Sequence, residues 1–162
     1  MRNKIILFSD SIESGKTSTL LHWIKDKINV AGILTPDVYG IRKLYDIQEN
    51  KYYPFETDVN ELTDVEVIGR FIFLKSAFKQ AIEILKNGVH QKPDWLVIDE
   101  IGKLELDNLG LEPALNLILK DYSAFSPETK IIIIVRDYLL DKTIEKYDFK
   151  DVEVVKANYF KD

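Results

Sequence analysis

"SDSIESGKTS", residues 9–18, is the stretch on which the fold turns. It ends in Gly15-Lys16-Thr17, the close of the phosphate-loop pattern G-x-x-x-x-G-K-[ST]. The first glycine of that pattern falls on Asp10, and a second carboxylate, Glu13, stands inside the loop. The flanks suit a phosphate site. "KIILF", residues 4–8, is a short apolar run of the kind that forms a buried strand. Residues 16–28 place Leu20, Leu21, Ile24 and Ile28 at helical spacing. Strand, loop and helix in that order let backbone N–H groups wrap an anion while the helix turns its positive dipole end toward it. Lys16 would reach the β- and γ-phosphates, and the Thr17 hydroxyl would bind Mg²⁺. The candidate nucleotide-binding residues are therefore Asp10, Ser11, Ile12, Glu13, Ser14, Gly15, Lys16, Thr17 and Ser18.

Further along, "VAGILTPDV", "IRKLYDI" and "KYYPFE" are short, rich in β-branched and aromatic residues, and separated by turn candidates at Tyr39-Gly40 and Glu49-Asn50. They predict an antiparallel hairpin or meander, with "GRFIFL", 69–74, as another strand. Residues 75–87 predict an amphipathic helix through Phe78, Ile82 and Leu85, closed by Asn87-Gly88. "DWLVID", 94–99, reads as a buried strand, and 112–122 as a helix with Pro113 in its first turn. "KIIIIV", 130–135, reads as a central parallel strand, 137–147 as helical, and "VEVV", 152–155, as a last strand. The alternation predicts one α/β domain over 1–162. Its mainly parallel sheet is covered on both faces, and the hairpin region is an insertion or an antiparallel edge.

The second motif is "WLVIDEIGKLEL", 95–106. A buried strand delivers Asp99 and Glu100 at its C-terminal end, where open α/β sheets bind ligands. Asp99 is the candidate metal ligand with Thr17. Glu100 is the candidate catalytic residue that orients or deprotonates water. Arg136, at the end of the "IIIIV" strand, is a candidate stabiliser of transition-state charge, or else an ion-pair partner of Asp137 or Glu145.

"DEIGKLEL" resembles the D-E-I-G-K-M-E-L signature of the small nucleoside-triphosphatases typified by a thermophile enzyme and by a human cancer-related nucleoside-triphosphatase. "AGILTPDVYGIRKLYDI" resembles that family's G-F-x-T-x-E-V-R segment, and the order of elements agrees over most of the chain. The resemblance implies a three-layer RecA-like P-loop NTPase fold. It also implies slow, Mg²⁺-dependent hydrolysis of nucleoside triphosphates such as ATP or GTP to diphosphates, with broad base preference.

The loop departs from the family's G-x-x-G-x-G-K-T, because Asp10, Glu13 and Gly15 occupy the glycine positions. A carboxylate ~6 Å from a phosphate charge, at an effective ε of ~20, repels it by about 3 kcal/mol. Two readings stay open: a working nucleoside-triphosphatase with an unusual loop, and a non-catalytic nucleotide sensor or protein-interaction relative. A nucleotide or metabolite kinase ranks third. Such enzymes trap two phosphate-bearing substrates with clustered arginines, and Arg2, Arg42 and Arg136 are scattered in sequence.

Composition narrows the field further. The chain has no cysteine, which removes thiolate chemistry, disulfides and cysteine metal sites, and fits a cytoplasmic location. Only His22 and His90 could contribute imidazole, and they are far apart. A net charge of −5 gives little drive toward nucleic acid, and no apolar run is long enough to cross a membrane. No protein partner is legible. Among weaker candidates, Thr35, Asp37 and Arg42 are expected to shape the cleft, with Tyr39 standing near the family's arginine. Tyr52, Tyr53 and Phe55 are base-stacking or packing residues. Lys103 is a phosphate-facing or surface lysine, Glu105 and Asp107 a solvated exit from the motif, and His22 and Trp23 structural.

Overall fold

In the computed structural model, which describes residues 3–11, 15–58 and 64–161, β1 (Ile5–Asp10) leads to α1 (Lys16–Ile24) and then β2 (Val30–Leu34). β3 (Asp37–Val38), β4 (Ile41–Asp46) and β5 (Lys51–Pro54) fold back on one another. β6 (Glu56–Thr57), β7 (Val65–Ile68) and β8 (Phe71–Leu74) form a separate antiparallel sheet in the order β6-β8-β7. The second half runs α2 (Lys75–His90), β9 (Trp95–Ile101), α3 (Lys103–Leu106), α4 (Ala114–Lys120), β10 (Lys130–Arg136), α5 (Leu140–Tyr147) and β11 (Val152–Val155).

The main sheet has the order β11-β1-β10-β9-β2-β4-β3, with β5 added to β4. From β11 to β2 neighbouring strands are parallel; β4 joins β2 antiparallel. Both faces are apolar, as parallel strands covered by helices require. Ile6, Phe8, Val97, Ile132 and Ile134 face Leu20 and Trp23 of α1 and Phe160. Ile33, Leu96, Ile98, Ile131 and Ile133 face the opposite layer, which holds α2, α4 and α5. The result is the expected three-layer α/β fold.

Four local expectations are corrected. The helix predicted over 16–28 stops at Ile24; Ile28 is 84% exposed, and Leu20 and Trp23 carry the buried face. α2 passes through Asn87-Gly88 to His90, because Gly88 and Val89 are buried and their packing outweighs the stop signal. "VAGIL" meets β4 antiparallel only at its end, through Ile33↔Asp46 and Leu34↔Tyr45. It pairs in parallel with β9 from Val30↔Trp95 to Ile33↔Ile98, and the antiparallel edge begins only at β4. The helix predicted over 112–122 is confined to Ala114–Lys120.

β9 carries an irregularity that sequence patterning does not reveal. Ile98 lies opposite Ile133 and Ile101 opposite Val135, so β9 takes one extra residue over that interval. Glu100 absorbs it with φ 53°, a left-handed conformation that is uncommon for a non-glycine residue.

Candidate active site

The C-terminal ends of β1, β9, β10 and β2 meet at one edge of the sheet, and Asp10 lies in register with Arg136. Gly15 opens α1 at φ 77°, a left-handed geometry that glycine adopts without penalty. This is the one family glycine the loop keeps. Lys16 is 9% exposed, and its Nζ donates to the carbonyls of Asp10 at 3.2 Å and Ser11 at 2.9 Å. Loss of hydration lowers its pKa, with Glu100 and Asp10 pulling the other way. The Asp10 carboxylate accepts the Ser11 N–H at 2.8 Å. Ser11 and Ser18 are exposed. Ile12, Glu13 and Ser14 lie outside the described residues.

Asp99 is the knot of the site. Its Oδ2 accepts the Thr17 hydroxyl at 2.9 Å, the Thr35 N–H at 2.7 Å and the Thr35 hydroxyl at 3.2 Å. One carboxylate oxygen thus ties the first turn of α1 and the end of β2 to β9. Oδ1 is buried and has no hydrogen-bond partner among the described residues. Burial pushes the Asp99 pKa up to about 6, and the Glu100 charge adds to this; the bonds from Thr35 and Thr17 oppose it. Among the described residues no three His, Cys, Asp or Glu side chains gather as a metal-binding group.

The bulge turns Glu100 toward two arginines. Arg136 Nε meets Oε1 at 2.7 Å, and Arg42 Nη1 meets Oε2 at 3.0 Å. The expected alternatives for Arg136, Asp137 and Glu145, are not its partner; Asp137 instead accepts the Tyr138 N–H. The sequence separation of the arginines does not survive folding. A fourth arginine, Arg70, which the sequence reading misses, lines the same cavity as Arg42 and Arg136. Its place in a turn between two strands was the available signal.

The weaker candidates separate cleanly. Thr35 belongs to the site through Asp99. Asp37 accepts the Gly40 N–H in an exposed turn, and Tyr39 is fully exposed. Phe55 packs on Phe73 and Phe78, and Tyr52 packs on Tyr45. Trp23 is structural, set edge-on to Trp95 and Phe160, while His22 is exposed. Lys103 is exposed, 5.8 Å from the Tyr138 ring. Glu105 is no solvated exit; it is 4% exposed and accepts the N–H groups of Gly102 and Leu111, pinning the turn after β9. Burial pushes its pKa up to about 7. Asp107 alone is exposed as expected.

A three-layer α/β sheet with a glycine-lysine-threonine turn on one strand end and paired carboxylates on another defines the phosphate-loop NTPase class. The family model described as NTPase matches residues 6–159, and the chain belongs to that family. Its function is accordingly of the nucleoside-triphosphatase type, with nucleotide binding implied. The crystal structure of THEP1 from the hyperthermophile Aquifex aeolicus is similar, with a TM-score of 0.69 and 17% identity over 95% of this chain and 89% of that one. At that identity the likeness shows the fold. A comparison with curated proteins gives no match. No helix among the described residues is long and apolar enough to cross a membrane.

Proposed function

We propose that the protein hydrolyses nucleoside triphosphates, ATP or GTP, to the diphosphate and phosphate in a Mg²⁺-dependent reaction, as a single cytoplasmic domain. The observation that carries this reading is the bond from Thr17 to Asp99 beside a Glu100 held by two arginines. Lys16 and the loop amides would bind the phosphates. Asp99 Oδ1, buried and without a partner among the described residues, on the carboxylate whose Oδ2 takes the Thr17 hydroxyl, fits a hard cation that prefers oxygen ligands, so Thr17 and Asp99 would hold Mg²⁺. When bound, the ion would offset negative charge on the β- and γ-phosphates.

Glu100 would orient the attacking water and take its proton as the water oxygen bonds to the γ-phosphorus. The bond from that phosphorus to the β-phosphate oxygen breaks, and the diphosphate leaves. A carboxylate has about four lone-pair sites. Two face the arginines, so sites remain for water. Arg136 uses Nε on Glu100 and keeps terminal N–H groups for developing phosphate charge. It would act as positioner and stabiliser together.

One observation favours the non-catalytic reading. Asp10 occupies the Ser11 N–H, a loop donor that a phosphate would otherwise use. Calorimetric titration with Mg²⁺ and a non-hydrolysable ATP or GTP analogue separates the two. Micromolar binding that is lost in Lys16→Ala supports the enzyme, and turnover assays follow. No binding up to millimolar nucleotide overturns it.

A further inference from the structure

A cavity of about 200 Å³ opens beside Glu100. Its walls are apolar and aromatic, supplied by Phe55, Phe73, Phe78 and Ala81 under the small β6-β8-β7 sheet. These residues belong to the layer on the far side of the main sheet from α1. The apolar part of the chamber therefore lies across the sheet from α1, while Thr35, Asp99, Glu100 and Arg136 of the candidate active site line its other side. An apolar cavity of roughly 150 Å³ already holds a benzene ring, so this one has room for a ring with a substituent.

Its mouth is cationic. Arg42 and Arg136 share the single charge of Glu100. Arg70 is exposed, with its guanidinium 5.1 Å from the Phe71 ring and no carboxylate paired to it among the described residues. Lys103 stands at the same opening. The lining also holds the Asp99 and Glu105 carboxylates, against which Arg42, Arg70, Arg136 and Lys103 leave a small formal excess of positive charge. Asp99 is turned to Thr17 and Thr35, and both oxygens of Glu105 take backbone N–H groups. Arginines around aromatic walls suit planar anions, which they meet by charge, by paired hydrogen bonds and by stacking.

We propose that this chamber is a second ligand site, adjoining the nucleotide site and sharing Glu100 and Arg136 with it, for a small molecule with a flat apolar body and one anionic group held at the mouth by Arg70 and its neighbours. The body fills the aromatic chamber and the carboxylate, sulfonate or phosphate stays at the arginine rim. Binding needs no nucleotide, so the proposal stands or falls apart from the hydrolysis reading.

The test is an NMR titration of the full chain with 4-toluenesulfonate, following Ala81 and Phe73 in the chamber against Gly15 and Thr17 at the loop. Inorganic sulfate supplies the anion alone, and p-cresol supplies a neutral body of similar size. The expected result is saturable shifts at Ala81 and Phe73, half complete at about 1 mM or below, the range ligand efficiency gives for a molecule of this size. Sulfate leaves Ala81 unmoved. Arg70→Gln, at an exposed turn, weakens sulfonate binding at least about threefold, the loss of roughly half a hydrogen bond to a charged group, and leaves p-cresol unchanged. Ala81→Leu fills the chamber and abolishes both. Absence of saturable shifts at Ala81, shifts confined to Gly15 and Thr17, or p-cresol binding as tightly as the sulfonate would each overturn the proposal. If Ala81→Leu does not fold, the Arg70→Gln comparison decides alone.

Discussion

Glu100→Gln is the sharpest perturbation of this site. The substitution keeps shape and volume and removes the charge. In the native site each oxygen accepts one guanidinium, at 2.7 Å and 3.0 Å. Glutamine can accept from one arginine, but its NH₂ then faces the other. Charge-assisted bonds are worth about 1.5–3 kcal/mol each in protected sites. Partial exposure of all three side chains reduces this, so the folded state is expected to lose about 1–2 kcal/mol. The chemical cost is larger. General-base assistance is typically worth 10²- to 10⁴-fold, or about 3–5 kcal/mol of barrier. Affinity moves the other way. A carboxylate ~8 Å from a phosphate charge repels it by at most about 2 kcal/mol at an effective ε of ~20. Its removal leaves binding equal or tighter, by up to roughly thirtyfold. Single-turnover phosphate release, beside calorimetry with the non-hydrolysable analogue, separates these effects. A kcat reduced at least about a hundredfold with retained binding fits the assignment of Glu100 to water. Hydrolysis within a fewfold of wild type refutes it. So does joint loss of binding and turnover matched by Arg136→Gln, which would reduce Glu100 to an anchor for the arginines.

Asp10→Gly restores the family glycine, frees the Ser11 N–H and removes a charge; analogue binding is expected to tighten about ten- to a hundredfold, and unchanged calorimetric affinity would clear Asp10 of any inhibitory part. Gly32→Ala tests the sheet that carries the site. Gly32 has φ 119°, and a Cβ there would lie 2.0 Å from the Val97 carbonyl oxygen, so a loss of more than about 4 kcal/mol is expected; an unaltered melting temperature would contradict the close pairing of β2 with β9. Glu105 titrates at about 7 in the folded chain because it is buried, against an ordinary value of 4.5. Between those pH values the unfolded chain has released the proton and the folded chain keeps it, so stability falls as pH rises, by up to about 3 kcal/mol above pH 7. Urea unfolding at pH 5 and pH 7.5 should show this fall in wild type and less of it in Glu105→Gln; equal slopes in both would remove Glu105 as its source.

Local pattern was enough to read much of this molecule from its residues. The apolar runs of β1, β9 and β10 are long enough to specify burial on both faces. Gly15-Lys16-Thr17 and Asp99-Glu100 mark the strand ends where a phosphate and a metal would be handled, and both signals are contiguous in the chain. Pairing is another matter. "VAGIL" reads equally well as a hairpin strand or as a parallel one, because periodicity records which side chains are buried and not which strand lies alongside. Its place next to β9 follows from the backbone contact at Gly32, a tertiary fact. Glu105 looked like one more surface acid until the turn after β9 buried it against two N–H groups. The setting of Glu100 is likewise non-local. Its left-handed backbone at the bulge, and the meeting of Arg42 from the edge hairpin with Arg136 from the central strand, depend on how separate strands stack at one end of the sheet. Hydrophobic burial is encoded residue by residue along the chain, so sequence alone determined the layers and the candidate chemistry. Electrostatic partners are chosen by proximity in space, and only the folded sheet decided which charges meet.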